Sequence, residues 1–170
     1  LEASTSKNQF QELLNSISEL KDTKIIFTKA NSDTDGRIIN SMVDDYTAKH
    51  INTIAFASMG QLNYLSALQF VDAVVGNSSS GLLETPSFKI GTIDIGDRQK
   101  GRIKADSVIS CLPDKKNIDN ALKKIYSRHF QEIVKNVKNP YGKGGASKII
   151  LDIIKDFNLD NIIKKTFYDL

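Results

Sequence analysis

One cysteine, Cys111, is all that the chain carries in 170 residues. That excludes an intrachain disulfide framework and fits a reducing, cytoplasmic compartment. No apolar run reaches the roughly 18 residues that a membrane-spanning helix needs, so no membrane is expected as a partner. Charge of one sign is scarce too: 23 Lys and Arg stand against 20 Asp and Glu, a net +3, with lysines scattered along the whole sequence. Scattered cations read as solvated helix faces, not as the concentrated basic footprint of a nucleic-acid surface. The two histidines, His50 and His129, are far apart, each at a probable helix end or surface, and no Ser-His-Asp arrangement is visible. Asp33 and Asp35 lack the partner ligands of a calcium loop. Asp44 and Asp45 are neighbours on a helix and so do not share a face, which makes them surface residues. Cys111 ends a strand and reads as a small core residue. No metal and no cofactor are expected. The start, LEASTSKNQF, shows neither an initiator Met nor a signal-peptide pattern and reads as a chain entered in the middle.

What is present suits one globular domain, residues 1–170, with 40% hydrophobic and 25% charged residues. Phe10, Leu13, Leu14, Ile17 and Leu20 fall at helical spacing. Strand-length apolar runs follow at 24–28, 53–56, 73–76, 92–95 and 107–111. Helices are predicted between the first four of them, through Ile38 to Tyr46, through Leu62 to Phe70, and in a short piece limited by Pro86. Beyond Pro113 helices are predicted over 116–127 and 147–157, with a last amphipathic piece over 159–167. Alternating strands and helices argue for an α/β domain of Rossmann-like type, a three-layer parallel sheet covered on both faces.

In such sheets ligands collect outside the carboxyl ends of the strands. The motif GNSSSG (76–81) lies at one such end. Small residues let the backbone approach a ligand, and amides opening a helix favour an anion such as phosphate. Glu84, one helical turn later, repels phosphate but suits the two hydroxyls of a ribose. By spacing alone the stretch reads equally as a Ser-rich turn with a solvated carboxylate. It lacks the Lys of a Walker loop and does not match GxGxxG. Two further strand ends carry charged loops. GDRQKGR (96–102) offers Arg98, Lys100 and Arg102 to diphosphate oxygens or else is a solvated basic turn. NSDTDG (31–36) offers Asn31 or else closes on its own backbone.

Taken together, VGNSSSGLLETPSF (75–88), GDRQKGR (96–102) with its preceding Ile95, and NPYGKG (139–144) resemble the hydrolysing UDP-N-acetylglucosamine 2-epimerases of sialic-acid biosynthesis. YLSAL (64–68) and Asn31-Ser-Asp extend the likeness over nearly the whole chain. The resemblance implies the C-terminal, nucleotide-binding half of a two-domain glycosyltransferase-B-like fold. It implies that Ser78 and Ser79 hold the diphosphate of UDP, that Glu84 holds the ribose hydroxyls, and that Arg98 and Asn31 contact UDP from neighbouring loops. The backbone near Met59 would meet the uracil. The implied reaction takes UDP-GlcNAc, eliminates UDP to leave a 2-acetamidoglucal, and adds water to give N-acetylmannosamine.

In that family the acid/base carboxylates belong to the N-terminal domain, so no catalytic residue is expected here and the isolated chain is expected to be inactive. The family's first strand of this domain, with its His-containing loop, lies upstream of Leu1. Its absence predicts a gap between the strands at 24–28 and 73–76, and an open edge invites pairing with another chain. The family is commonly dimeric or tetrameric. Two other readings stay open: a nucleotide-sugar binding module without chemistry, and half of a sugar transferase of the same fold. A UDP-sugar of the diacetamido-bacillosamine type is an alternative substrate.

Overall fold

The computed structural model describes residues 3–31 and 34–160. Five parallel strands form, β1 (Ile25–Thr28), β2 (Thr53–Phe56), β3 (Ala73–Gly76), β4 (Gly91–Ile95) and β5 (Val108–Cys111), each within two residues of the run that predicts it. They do not make one sheet. β1 pairs with β2, and β3, β4 and β5 pair in that order. The break falls between β1 and β3, at the gap expected from the sequence; among the described residues no strand bridges it.

One helix fills the role of connector. α1 (Ala3–Ile17) packs against both α2 (Thr34–Lys49), beside the two-stranded sheet, and α5 (Lys115–Ile125), beside the three-stranded one. Its polar side chains reinforce the second contact: Glu12 accepts from the Lys115 amide at 3.0 Å, and Ser16 lies 3.5 Å from the Lys115 carbonyl. On β1, Phe27 meets Tyr46 of α2 edge to face, with ring centroids 5.8 Å apart. The alternation of the strands leaves Ile26, Ile54 and Phe56 exposed on the other face. Here the two-stranded piece departs from a sheet covered on both sides.

The three-stranded piece has both covers. Ile93 and Ile109 bury against Ile118, Leu122, Ile125, Phe130 and Val134, which forms the main core. On the opposite face, Thr92 receives α4 (Ser80–Leu83) and the 3-10 turn Thr85–Phe88. Thr85 Oγ1 lies 2.8 Å from Thr92 Oγ1 and donates to the Gly81 carbonyl at 2.7 Å. Gly81 has to be glycine, because a Cβ there would stand 2.5 Å from Thr92 Cγ2.

One expectation is corrected. A separate helix α6 (Arg128–Asn136) follows α5, where the sequence analysis has only a connector. Tyr126 ends α5 and Ser127 caps α6, its hydroxyl accepting from the Phe130 amide at 3.3 Å. Phe130, Ile133, Val134 and Val137 then fall on one face at helical spacing, a period masked by the cluster of polar residues around Ser127. The crossover between β4 and β5 is an irregular loop over 96–107, which contains the charged loop read from the sequence. α7 (Ala146–Asp156) closes the described chain. Of the amphipathic piece predicted over 159–167, residues 161–167 lie outside the described residues.

Candidate functional site

The serine turn begins where β3 ends. Gly76 has φ +148°, a backbone that side-chain-bearing residues rarely adopt, and it swings the chain off the strand. Ser79 is the N-cap of α4, but its side chain makes no capping bond. The amides that follow are met internally: Ser80 N–H donates to Ser78 Oγ at 3.3 Å, and Gly81 and Leu82 donate to the Ser78 and Ser79 carbonyls. The donors left to a ligand at this turn are those of Ser78 and Ser79. α4 has only four residues, so the helix dipole invoked from the sequence contributes little, and an anion placed here would meet local amides and hydroxyls instead.

Glu84 follows one turn later and is half-buried. Its Oε2 accepts from the Ser80 hydroxyl at 2.5 Å, and the Ser80 oxygen in turn lies 2.5 Å from the Tyr64 hydroxyl. Burial raises the Tyr64 phenol above its ordinary value; the Ser80 hydrogen bond works the other way and the Glu84 charge adds to the rise. Tyr64 sits on α3 (Gly60–Ala67), whose N-cap is Met59. The Tyr64–Ser80 bond therefore ties the Met59 turn to the serine turn.

The arginine loop approaches from β4. Gln99, 3% exposed, donates through Nε2 to the Asn77 carbonyl at 2.7 Å. Arg98 Nη1 makes a long contact, 3.5 Å, with Asn77 Oδ1 and is otherwise exposed. Arg98, Lys100 and Arg102 have no ion-pair partner among the described residues. The loop is pinned at its far end by Lys104, which bridges Asp94 of β4 and Ser110 of β5, each at 2.7 Å. The glycine-rich loop at 139–146 comes to the same region. Asn139 donates to the Leu83 carbonyl at 2.8 Å and to Ser87 Oγ at 2.7 Å, and Tyr141 Oη donates to the Ile103 carbonyl at 2.9 Å.

The structure thus gathers Ser78, Ser79, Glu84 and Arg98 around the ends of β3 and β4, with Met59 joined through Tyr64. Asn31, exposed three residues past β1, belongs to the other sheet, and no described contact links it to the serine turn. Among the described residues no group of three or more His, Cys, Asp or Glu could hold a metal ion. Tyr64, Ser80 and Gln99 lie within the quoted stretches without a role read for them from the sequence, and Lys104 lies outside those stretches. Only the Ser80–Glu84 spacing, i and i+4, was a readable signal; the other three depend on contacts between distant segments. His50 stacks on Tyr46, His129 is exposed, and Cys111 lies against the main core with its thiol raised to about 11, by burial first and then by the charges of Asp94 and Asp114. Among the described residues no helix is long and apolar enough to cross a membrane.

A family model described as UDP-N-acetylglucosamine 2-epimerase matches residues 1–155. The chain belongs to that family. It is 39% identical, over its full length, to the GDP/UDP-N,N'-diacetylbacillosamine 2-epimerase (hydrolyzing) of Campylobacter jejuni. It is 38% identical, again over its full length, to polysialic acid biosynthesis protein P7 of Escherichia coli. In both cases the chain spans 44% of the relative's length. Among solved structures, the UDP complex of MnaA from S. aureus superposes with a TM-score of 0.72 at 20% identity, covering 95% of this chain and 43% of that one. The UDP-GlcNAc 2-epimerase from Neisseria meningitidis bound to UDP-GlcNAc gives 0.66 at 17%, covering 89% and 41%. At those identities the likeness establishes the shared fold: this epimerase-family chain has the α/β architecture of the corresponding part of those enzymes.

Proposed function

We propose that this chain is the UDP-binding part of a hydrolysing 2-epimerase that acts on UDP-GlcNAc. Ser78 and Ser79 donate to the diphosphate, Arg98 adds a planar cation beside it, and Glu84 accepts from the ribose hydroxyls. The Met59 backbone meets the uracil and Asn31 reaches the nucleotide from the β1 loop. The observation that carries this reading is the turn at the end of β3, where free anion donors and an oriented carboxylate lie one helical turn apart.

UDP is the leaving group of the reaction, so a site of this kind stabilises charge that develops on the diphosphate as the bond to the anomeric carbon breaks. Proton transfer at C2 needs acid/base groups. Glu84 is engaged with Ser80 and Asp94 with Lys104. The acid/base chemistry is assigned to the part of the longer protein that lies outside this chain, and this chain alone is a nucleotide-sugar binding module. The full protein releases N-acetylmannosamine and UDP and works as a soluble homo-oligomer in the cytoplasm.

A second substrate reading, a UDP-diacetamido-bacillosamine sugar, is favoured by the name of the C. jejuni relative at 39% identity. Calorimetry of the chain with UDP tests the site. Glu84→Ala is expected to weaken binding by about 1–3 kcal/mol, the loss of charge-assisted hydrogen bonds at a half-exposed carboxylate. Equal affinity for the variant removes Glu84 from the site. Release of UDP by the full-length protein, from UDP-GlcNAc against the diacetamido sugar, separates the two substrates.

A further inference from the structure

Glu84 is held by a directed relay. The Ser80 hydroxyl has one proton, and the carboxylate can only accept, so that proton goes to Glu84 Oε2. Ser80 Oγ must then accept from Tyr64, whose hydroxyl lies 2.5 Å away. The order is Tyr64 O–H to Ser80 O–H to Glu84. Both outer partners are partly withdrawn from water, and Tyr64, a phenol at neutral pH like any tyrosine, is the donor that the relay needs. The relay occupies one carboxylate oxygen and fixes the carboxylate's rotation about its last bond, leaving Oε1 without a partner among the described residues. A carboxylate free to rotate would lose orientational entropy on meeting a diol; one already fixed has lost it in advance.

We propose that Tyr64 and Ser80 are positioning residues that set ribose recognition, making the site selective for a nucleotide with an intact 2',3'-diol. This deepens the UDP reading and rests on it. The same bond joins α3, and hence the Met59 turn, to α4, so the relay also links the base-side loop to the ribose-side carboxylate.

The test is a ligand-by-variant cycle measured by calorimetry on the full chain, with UDP and 2',3'-dideoxy-UDP. The unmodified chain is expected to prefer UDP by about 10- to 100-fold. Tyr64→Phe, which removes one oxygen, is expected to shrink that preference about 3- to 10-fold while leaving the dideoxy affinity unchanged. Ser80→Ala is expected to shrink it at least as much, and Ser80→Thr, which keeps the hydroxyl, to restore it. A merely structural role for Tyr64 lowers both affinities together and leaves the preference intact; that result overturns the proposal while the UDP site stands. Equal affinity of the unmodified chain for the two nucleotides overturns the ribose assignment of Glu84 itself, and the proposal with it.

Discussion

Lys104 is the strongest lever on the arginine loop, and its loss can be worked out from the geometry. Its ammonium lies 2.7 Å from Oδ2 of Asp94, a carboxylate only 1% exposed, and 2.7 Å from Ser110 Oγ. The other oxygen, Oδ1, is buried without a hydrogen-bond partner among the described residues. Lys104→Met would therefore leave a buried anion with almost nothing to stabilise it. Breaking one side of a buried pair costs about 3–5 kcal/mol. The Lys104 side chain is 26% exposed, so water can reach part of the vacated space, which lowers the figure to about 2–4 kcal/mol. With a urea slope of about 2 kcal/mol per molar, the unfolding midpoint should fall by about 1–2 M. Equilibrium urea unfolding followed by circular dichroism reads this directly. The double variant Asp94→Leu with Lys104→Met removes both charges and should recover most of the loss, since an apolar pair of similar volume is often as stable as a buried ion pair. A Lys104→Met midpoint within 0.2 M of the unmodified chain, on the order of 0.4 kcal/mol at that slope, would refute the assignment of Lys104 as the counter-ion of Asp94.

Gly81→Ala should destabilise the chain by about 1–3 kcal/mol in the same assay, because the new Cβ meets Thr92 Cγ2 at 2.5 Å. Adding Thr92→Ser, which deletes that methyl and keeps the hydroxyl bonded to Thr85, should return much of the loss. Cys111, with its thiol raised to about 11, should react with iodoacetamide far more slowly in the folded chain at pH 8 than in urea. The sign follows from the protonated thiol being the favoured folded form: its contribution to stability is complete below the unfolded value near 9 and fades as pH rises through about 11. Arg98→Ala should weaken UDP binding and flatten its dependence on salt, as titrations at low and high ionic strength will show.

The strands were legible because each is a short β-rich run bounded by turn residues, and all five begin within one residue of the apolar stretch. α6 was not legible for a local reason: the end of one helix at Tyr126 and the cap of the next at Ser127 are adjacent, so two helices read as one followed by a connector. The β4–β5 loop was legible as a loop, but its contacts were not. Loop residues 96–107 perform the covering and pinning that a helix performs elsewhere, through Gln99 on Asn77 and Lys104 on Asp94, and neither contact has a period to detect. Ser78, Ser79 and Glu84 stand out because loop composition and i,i+4 spacing are sequence properties. Tyr64 does not, since its relevance begins only when α3 meets α4, 16 residues from Ser80 along the chain.

The break between β1 and β3 bears on how these loops can act together. In a continuous parallel sheet, hydrogen bonds between central strands fix the strand ends relative to one another. Here the ends of β3 and β4 are fixed in that way, and the serine turn and arginine loop inherit the register Gly76 to Asp94. The ends of β1 and β2 are not, so the loops bearing Asn31 and Met59 are placed by side-chain contacts instead. For Met59 the contact is the Tyr64–Ser80 bond. For the two-stranded sheet as a whole it is α1, through its packing on α2 and α5 and the bonds of Glu12 and Ser16 to Lys115. A strand hydrogen-bonded into the break would replace those indirect ties with a ladder. In the proposed site, phosphate and ribose recognition rests on the three-stranded half, already closed on both faces, whereas the proposed contacts of Asn31 and Met59 gain rigidity when β1 and β3 are bridged.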